Sequence, residues 1–358
     1  MGIGRNQMCP CKSGLKYKKC CNLNEKEFVK YLDTRITEPE AIVHMFNKDK
    51  IVRQCLHPNN AECKNEQVIG AHSIARKRIL DNLQLDGKVK KIYLGYNNQQ
   101  MLSIKIKGID IKRASVFFGF CKKHDDLFQP IDNFDFYPED VQQNFLFSYR
   151  AFCFEYHQLD ESIKANQKLF LESKRVHEKV SGTLSMLNKQ KNKLNEYQNK
   201  YNKMIINNNH SDIISKSFIY KGKAQIAVSS AIFPFYDIKN NEIADDIDDS
   251  KMITLNIFPQ NEKTYVVFNW FNIDNSVFSN FISQFEGLNL KDQISFLNNT
   301  VTLYARRSLL FNPTLWSELT TSEKHAVKSS YNPAFISLNN LLRTPQYNLF
   351  KNIESLSN

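Results

Sequence analysis

No stretch of the 358-residue chain approaches twenty uninterrupted apolar residues, the length a helix needs to span a bilayer. Gly2 to Asn6 lack the apolar centre of a secretory leader, and no lipidation signal is visible. A soluble, cytoplasmic protein with no membrane partner is expected. Cysteine is scarce too, at eight residues, and seven of these fall into two clusters, which suits metal binding in a reducing compartment better than a disulfide framework. Disorder is excluded by a hydrophobic content of 42% and an aromatic content of 12%, enough to bury two or three folded units. The net charge of +11 points toward phosphate-rich partners, although a Lys-, Asn- and Ile-rich composition also follows from AT-rich coding.

The first cluster lies in Gly4 to Cys21, which reads G-R-N-Q-M-C-P-C-K-S-G-L-K-Y-K-K-C-C. Cys9 and Cys11 flank Pro10 in a tight knuckle and Ser13-Gly14 supplies a turn. Cys20 and Cys21 then return at a helix start to complete a tetrahedral thiolate shell. Thiolate softness and that geometry favour zinc. These residues resemble the SEC-C zinc motif, found at the C-terminus of the SecA translocation ATPase and appended to many bacterial proteins. The matching positions are Gly4, Arg5, Asn6, Cys9, Pro10, Cys11, Ser13, Gly14, Tyr17, Lys18, Lys19, Cys20 and Cys21. Lys12 replaces the usual glycine, and Cys21 stands where the family uses cysteine or histidine. In SecA the motif engages the SecB chaperone and ribosomes, so the resemblance implies an adaptor surface rather than an active site.

The second cluster is split. Cys55-Leu-His57-Pro-Asn-Asn-Ala-Glu-Cys63 forms a C-x7-C loop closed by Pro58-Asn59-Asn60, and Val116 to Phe120 reads as a buried strand delivering Cys121-Lys-Lys-His124-Asp125. Two cysteines from a turn and a C-x2-H at a strand-to-helix junction are enough for a second tetrahedral zinc. Cys55, Cys63, Cys121 and His124 are its expected ligands, with His57 and His72 as substitutes. The arrangement resembles the HNH nuclease finger. Ala71-His72-Ser73-Ile74 aligns with that family's histidine element, which makes His72 the general base, and Asp125 stands where the nuclease binds catalytic Mg²⁺. Ala71 replaces an acidic or second histidine side chain, and Asn97 and Asn98 are the candidates for the central asparagine. His72 is equally read as a zinc ligand or a hydrogen-bonded histidine, with Ser73 as N-cap of a helix over Ile74 to Leu83.

The expected fold class is α+β, in four parts: a SEC-C finger over 1–24, a second zinc-binding, HNH-like or treble-clef-type domain over 25–137, a long helix or helical hairpin over 138–206, and an α+β domain over 214–358. Glu25 to Phe46 reads as a helix. Lys88 to Lys91 and Lys105 to Arg113 alternate basic and apolar residues as strands do, inside a strongly basic segment from Arg76 to Lys123. Pro138 opens the long helix as an N1 proline. Val141, Phe145, Tyr149, Phe152, Tyr156, Leu159 and Ile163 form its apolar face, and Val176 to Tyr201 continues as an antiparallel partner or coiled-coil arm that could support oligomers. Beyond Asn207-Asn208-Asn209 the period changes to strands at Phe218–Tyr220, Ala224–Ser229, Met252–Ile257 and Thr264–Trp270, then to helices at Phe278–Phe285 and Lys291–Leu310. That region holds no P-loop, nucleophile elbow, kinase set or dinucleotide fingerprint.

The whole layout, a SEC-C finger, then A-H-S-I, F-C-K-K-H-D, an aromatic Y-R-A helix and a terminal domain with F-P-Q-N-E-K and N-P-T-L-W, resembles uncharacterised bacterial proteins suspected of acting in phage defence. Three functions compete: a two-zinc protein that docks on nucleic acid or a nucleic-acid machine, an HNH-like Mg²⁺-dependent nuclease, and a protein adaptor working through the SEC-C finger.

Overall fold

The computed structural model describes residues 4–9, 14–20, 51–63, 66–96, 102–172, 177–331 and 339–355. The expected helix over Glu25 to Phe46, the expected ligands Cys11 and Cys21, and Asn97 and Asn98 lie outside them. The chain is mixed helix and sheet and divides into two compact units, one of Gln54–Gly95, Ser103–Glu155 and Tyr201–Asn358, the other of Met1–Arg53, Tyr96–Leu102 and Tyr156–Lys200. Among the described residues no helix is long and apolar enough to cross a membrane.

The larger unit begins with β1 (Val68–His72), followed by β2 (Lys88–Tyr96), β3 (Leu102–Asp110) and β4 (Val116–Cys121). β1 pairs antiparallel with β4, Val68 opposite Cys121 and His72 opposite Val116, while β2 and β3 belong to a different sheet. Residues 111–113, expected to continue the strand, turn into a helical loop capped by Asp110. Short helices α1 (Lys122–Asp125) and α2 (Gln129–Asp132) lead to the long α3 (Val141–Glu172) and α4 (His177–Ile206). Pro138 does not sit at N1. It lies in a turn, and the first backbone N–H groups of α3 are met by Asp140, whose carboxylate accepts from Gln143 N at 2.9 Å. Val141 is exposed, whereas Phe145, Tyr149 and Phe152 of the expected face are buried.

β5 (Ile213–Lys221), β6 (Ile226–Ile232), β7 (Ile253–Gln260) and β8 (Lys263–Phe271) then form the centre of a sheet ordered β10-β5-β8-β7-β6-β9-β2-β3, where β9 is Leu310–Phe311 and β10 is Glu354–Ser355. The helix expected to reach Leu310 ends at Leu303, because Leu310 and Phe311 are needed as the strand that joins β6 to β2. Strand alternation sorts this sheet into two faces. Ile253, Leu255, Ile257, Val266 and Phe268 point into an apolar core with Phe278, Phe281 and Phe285 of α5 (Asn275–Glu286) and Phe296 of α6 (Leu290–Leu303). The opposite face is partly polar: Thr254 donates to Ser148 of α3 at 3.2 Å, and Phe258 stacks on Phe147 at 5.0 Å. Helices α7 (Pro313–Glu318) and α8 (Thr321–Ser329) complete the unit. The first opens on Asn312 with Pro at its start, and the second on a Thr320/Glu323 capping box.

In the smaller unit α3 and α4 run antiparallel, since Tyr156 donates to Asn195 at 2.8 Å and Lys191 pairs with Asp160 one turn along each helix. The N-terminal knuckle turns at Gly14, whose φ of +74° favours glycine, and Met8 bridges Lys16. Cys9 and Cys20 are both buried, and Cys9 N donates to Leu15 O at 2.8 Å.

Candidate metal centre

The β1–β4 pair determines where the second cysteine cluster meets. Leu56 N donates to Gly119 O at 2.9 Å and Gln54 N to Phe118 O at 3.2 Å, so the Cys55 segment runs along β4 as a third backbone line. The loop then turns through Pro58 and a 3₁₀ turn, Asn60–Cys63, to bring Cys63 back. β4 ends at Cys121, and α1 starts immediately, which lifts His124 one turn above it. From the helix on the other side, the Tyr149 hydroxyl donates to Leu56 O at 3.3 Å.

The result brings Cys55, Cys63, Cys121 and His124 together with all four ligand atoms within 4.8 Å of one another. Sulfur–sulfur separations are 3.5 Å for Cys63–Cys121 and 4.0 Å for Cys55–Cys121. His124 Nδ1 lies 3.1 Å from Cys63 Sγ and 3.4 Å from the sulfurs of Cys55 and Cys121. A tetrahedral zinc with usual bond lengths needs edges of about 3.8 Å between sulfurs and about 3.6 Å between sulfur and nitrogen. Five of the six edges therefore match zinc to within about half an ångström, and the sixth, Cys55–Cys63, is no longer than 4.8 Å. Burial, then hydrogen bonding to the Cys121 and Cys55 thiols, pushes the Cys63 thiol up to about 12, and burial also raises Cys55. Without a cation the Cys55 and Cys63 sulfurs hold their protons, and a metal entering here must displace them.

His57 and His72, named as substitute ligands, are outside the group. The His57 ring stacks on His124 at 3.8 Å and 9°, and its Nδ1 accepts from Asn59 N at 3.2 Å. It covers the His124 imidazole instead of joining the group. His72 ends β1, where its Nδ1 is 2.9 Å from Ser115 Oγ. That hydroxyl donates to Ile74 O at 3.2 Å, so its one proton is used and His72 Nδ1 must be the donor, which leaves Nε2 as an acceptor. Burial first, then the cations Arg150 and Arg76, lower the His72 pKa to about 4, so the ring is neutral near pH 7.

Ser73 does not cap a helix. Its N–H donates to Ser115 O as the end of the strand ladder, its hydroxyl is buried without a partner, and the next turn, Arg76–Leu80, is π-wound. Asp125 is half-buried, with burial raising its carboxyl pKa against the lowering effect of Arg150. Arg150 itself is nearly inaccessible. It makes two 2.8 Å hydrogen bonds to Asp132 and lies over the Phe128 ring at 4.3 Å. This pair beside His72 was not foreseen from sequence, where Arg150 reads as one polar residue between helix aromatics. Among the described residues, no group of three Cys, His or carboxylate ligands includes His72 or Asp125.

Comparison with known proteins adds one match: the SEC-C motif is found at residues 5–22. Cys9 and Cys20 of that motif are buried as described, and Gln167 Nε2 approaches Cys20 Sγ at 3.6 Å. No curated protein and no solved structure matches the chain.

Proposed function

We propose that this chain is a zinc-binding protein that docks on nucleic acid, and that it carries two ions. One would be held by Cys9, Cys11, Cys20 and Cys21 of the SEC-C motif, the other by Cys55, Cys63, Cys121 and His124. The observation that carries the proposal is the second donor set, with two ligands from a loop, two from a strand-to-helix junction and a pair of strands between. That is the order a treble-clef zinc finger uses, and zinc there would act as a cross-link. Nucleic acid is the favoured partner because of where the charge lies. Between Arg76 and Lys123 there are twelve Lys and Arg residues against three Asp, nine of the net eleven charges. Lys77, Lys88, Lys107, Lys112, Arg113 and Lys122 are exposed.

The test is fluorescence anisotropy of labelled DNA and RNA oligonucleotides at rising salt. Affinity should fall steeply with salt, and replacing Lys107 and Lys112 with Glu should weaken binding and flatten that slope, because each neutralised phosphate contributes about one unit to it. Absence of binding at low salt would reject nucleic acid and favour the protein-adaptor role.

One observation keeps a nuclease as a second reading: the His72 tautomer leaves Nε2 free on a neutral, half-buried ring. Under that reading His72 takes a proton from water. Mg²⁺-dependent cleavage by wild type that vanishes in a folded His72→Ala protein would establish it. The first reading expects no cleavage.

A further inference from the structure

A cavity of about 510 Å³ opens in the C-terminal part of the larger unit, between α6, the first turns of α8 and residues 344–348. It is preformed. Asn298 on α6 donates to Asn348 Oδ1 at 3.2 Å and accepts from Leu349 N at 2.8 Å, and one turn further on Thr302 meets the Tyr347 hydroxyl at 2.8 Å. Lys351 pairs with Glu323 at 3.4 Å, which ties the same segment to α8. The floor is apolar, from Leu290, Ile294 and Tyr347.

The polar groups around this floor are unequal. The Glu323 carboxylate is used twice, by Lys351 and by Thr320 N at 2.7 Å. By contrast, Ser295 lines the cavity at only 7% exposure, and its hydroxyl has no hydrogen-bond partner among the described residues. The Asn348 amide uses its oxygen and leaves its NH₂ group open, and Lys291 at the rim makes no ion pair among the described residues. A serine hydroxyl, an amide NH₂ group and an ammonium therefore belong to the residues lining an apolar cavity whose one carboxylate, Glu323, is already paired. Apolar pockets of this size with a few convergent polar groups are the usual form of a small-molecule site.

We propose that this cavity binds a small organic carboxylate: an aliphatic or aromatic body on Leu290, Ile294 and Tyr347, and a carboxylate accepting from Lys291, Ser295 and Asn348. The site lies outside the donor cluster and does not depend on zinc or nucleic acid. Matched probes test it on the full-length chain. Phenylpropionate and decanoate, with the corresponding primary amides, are titrated against the protein by saturation-transfer NMR and thermal shift. The acids should bind at least about tenfold more tightly than the amides, since charge-assisted hydrogen bonds are roughly twice as strong as neutral ones. Lys291→Met, at an exposed position, should remove that preference without lowering the melting temperature, and Ser295→Ala should weaken the acids alone. Equal binding of acid and amide, no binding of either, or full acid binding by Lys291→Met would each overturn the assignment.

Discussion

Replacing Cys121 with serine tests the metal centre most directly. Cys121 is fully buried and is joined to Cys55 across 66 residues. Closing a loop of that length costs an unfolded chain roughly 4 kcal/mol in configurational entropy. A metal held from both ends supplies that closure to the native state. Serine keeps the size of the side chain but is a poor zinc ligand. With Cys55, Cys63 and His124 alone the ion should be lost at micromolar protein, and most of the ~4 kcal/mol with it. For a unit of this size that corresponds to a fall in melting temperature of roughly 8–16 °C. The assay pairs zinc content of the purified protein with scanning calorimetry, and Cys153→Ser is the control. Cys153 is equally buried but belongs to no ligand group, so it should retain full zinc. A Cys121→Ser protein with unchanged zinc and a melting temperature within a degree or two of wild type would refute the ligand assignment.

Acidification should release zinc from the wild type, because the thiols of Cys55 and Cys63 lie above their usual values without metal and protons compete for the sulfurs as pH falls; zinc release followed with a chromogenic chelator checks it. His72 has a folded pKa of about 4 against an ordinary 6.5, so its contribution to stability is complete above about pH 6.5 and is lost as pH falls through 4. His72→Gln should flatten denaturation midpoints across that window by up to about 3 kcal/mol. Gly222 has φ of +89°, and a Cβ there would lie 1.9 Å from Asn352 O; Gly222→Ala should cost more than about 3 kcal/mol in urea unfolding, since backbone on both sides must move. Asn256 is buried with neither amide atom hydrogen-bonded within the protein, so Asn256→Leu should be neutral or stabilising by about 1 kcal/mol in the same assay.

The donor cluster was legible because ligand chemistry is local. A C-x7-C loop and a C-x2-H junction each announce themselves, and only their meeting had to be inferred. The strands of the C-terminal region were legible from alternation, as were the two long helices from their three-and-four spacing. What could not be read was long-range. Nothing in Leu310-Phe311 marks it as the two-residue strand that seats β2 and β3 on a sheet built mainly from later residues. Pro138 carried a genuine helix-start signal, but Asp140 two residues later offered a side-chain acceptor and set the first turn. Ser73 likewise had the chemistry of a cap, yet pairing of its N–H with Ser115 O held it in extended backbone. Nothing in the sequence marks Arg150 as paired, because its partner, Asp132, is 18 residues away on another helix.

The interrupted β1–β4 pair also has a consequence for synthesis on the ribosome. Cys55 and Cys63 leave the exit tunnel first, but Cys121 and His124 follow 66 and 69 residues after Cys55. At translation rates of about 5–20 residues per second, that delay is roughly 3–14 seconds. During it the two early cysteines are half of the proposed donor set, and the four N-terminal cysteines, already synthesised, would compete with them for zinc. A nascent chain stalled between residues 63 and 121 would hold that vulnerable state. If both proposed sites take up metal, the order in which they do so is written into the order of the codons.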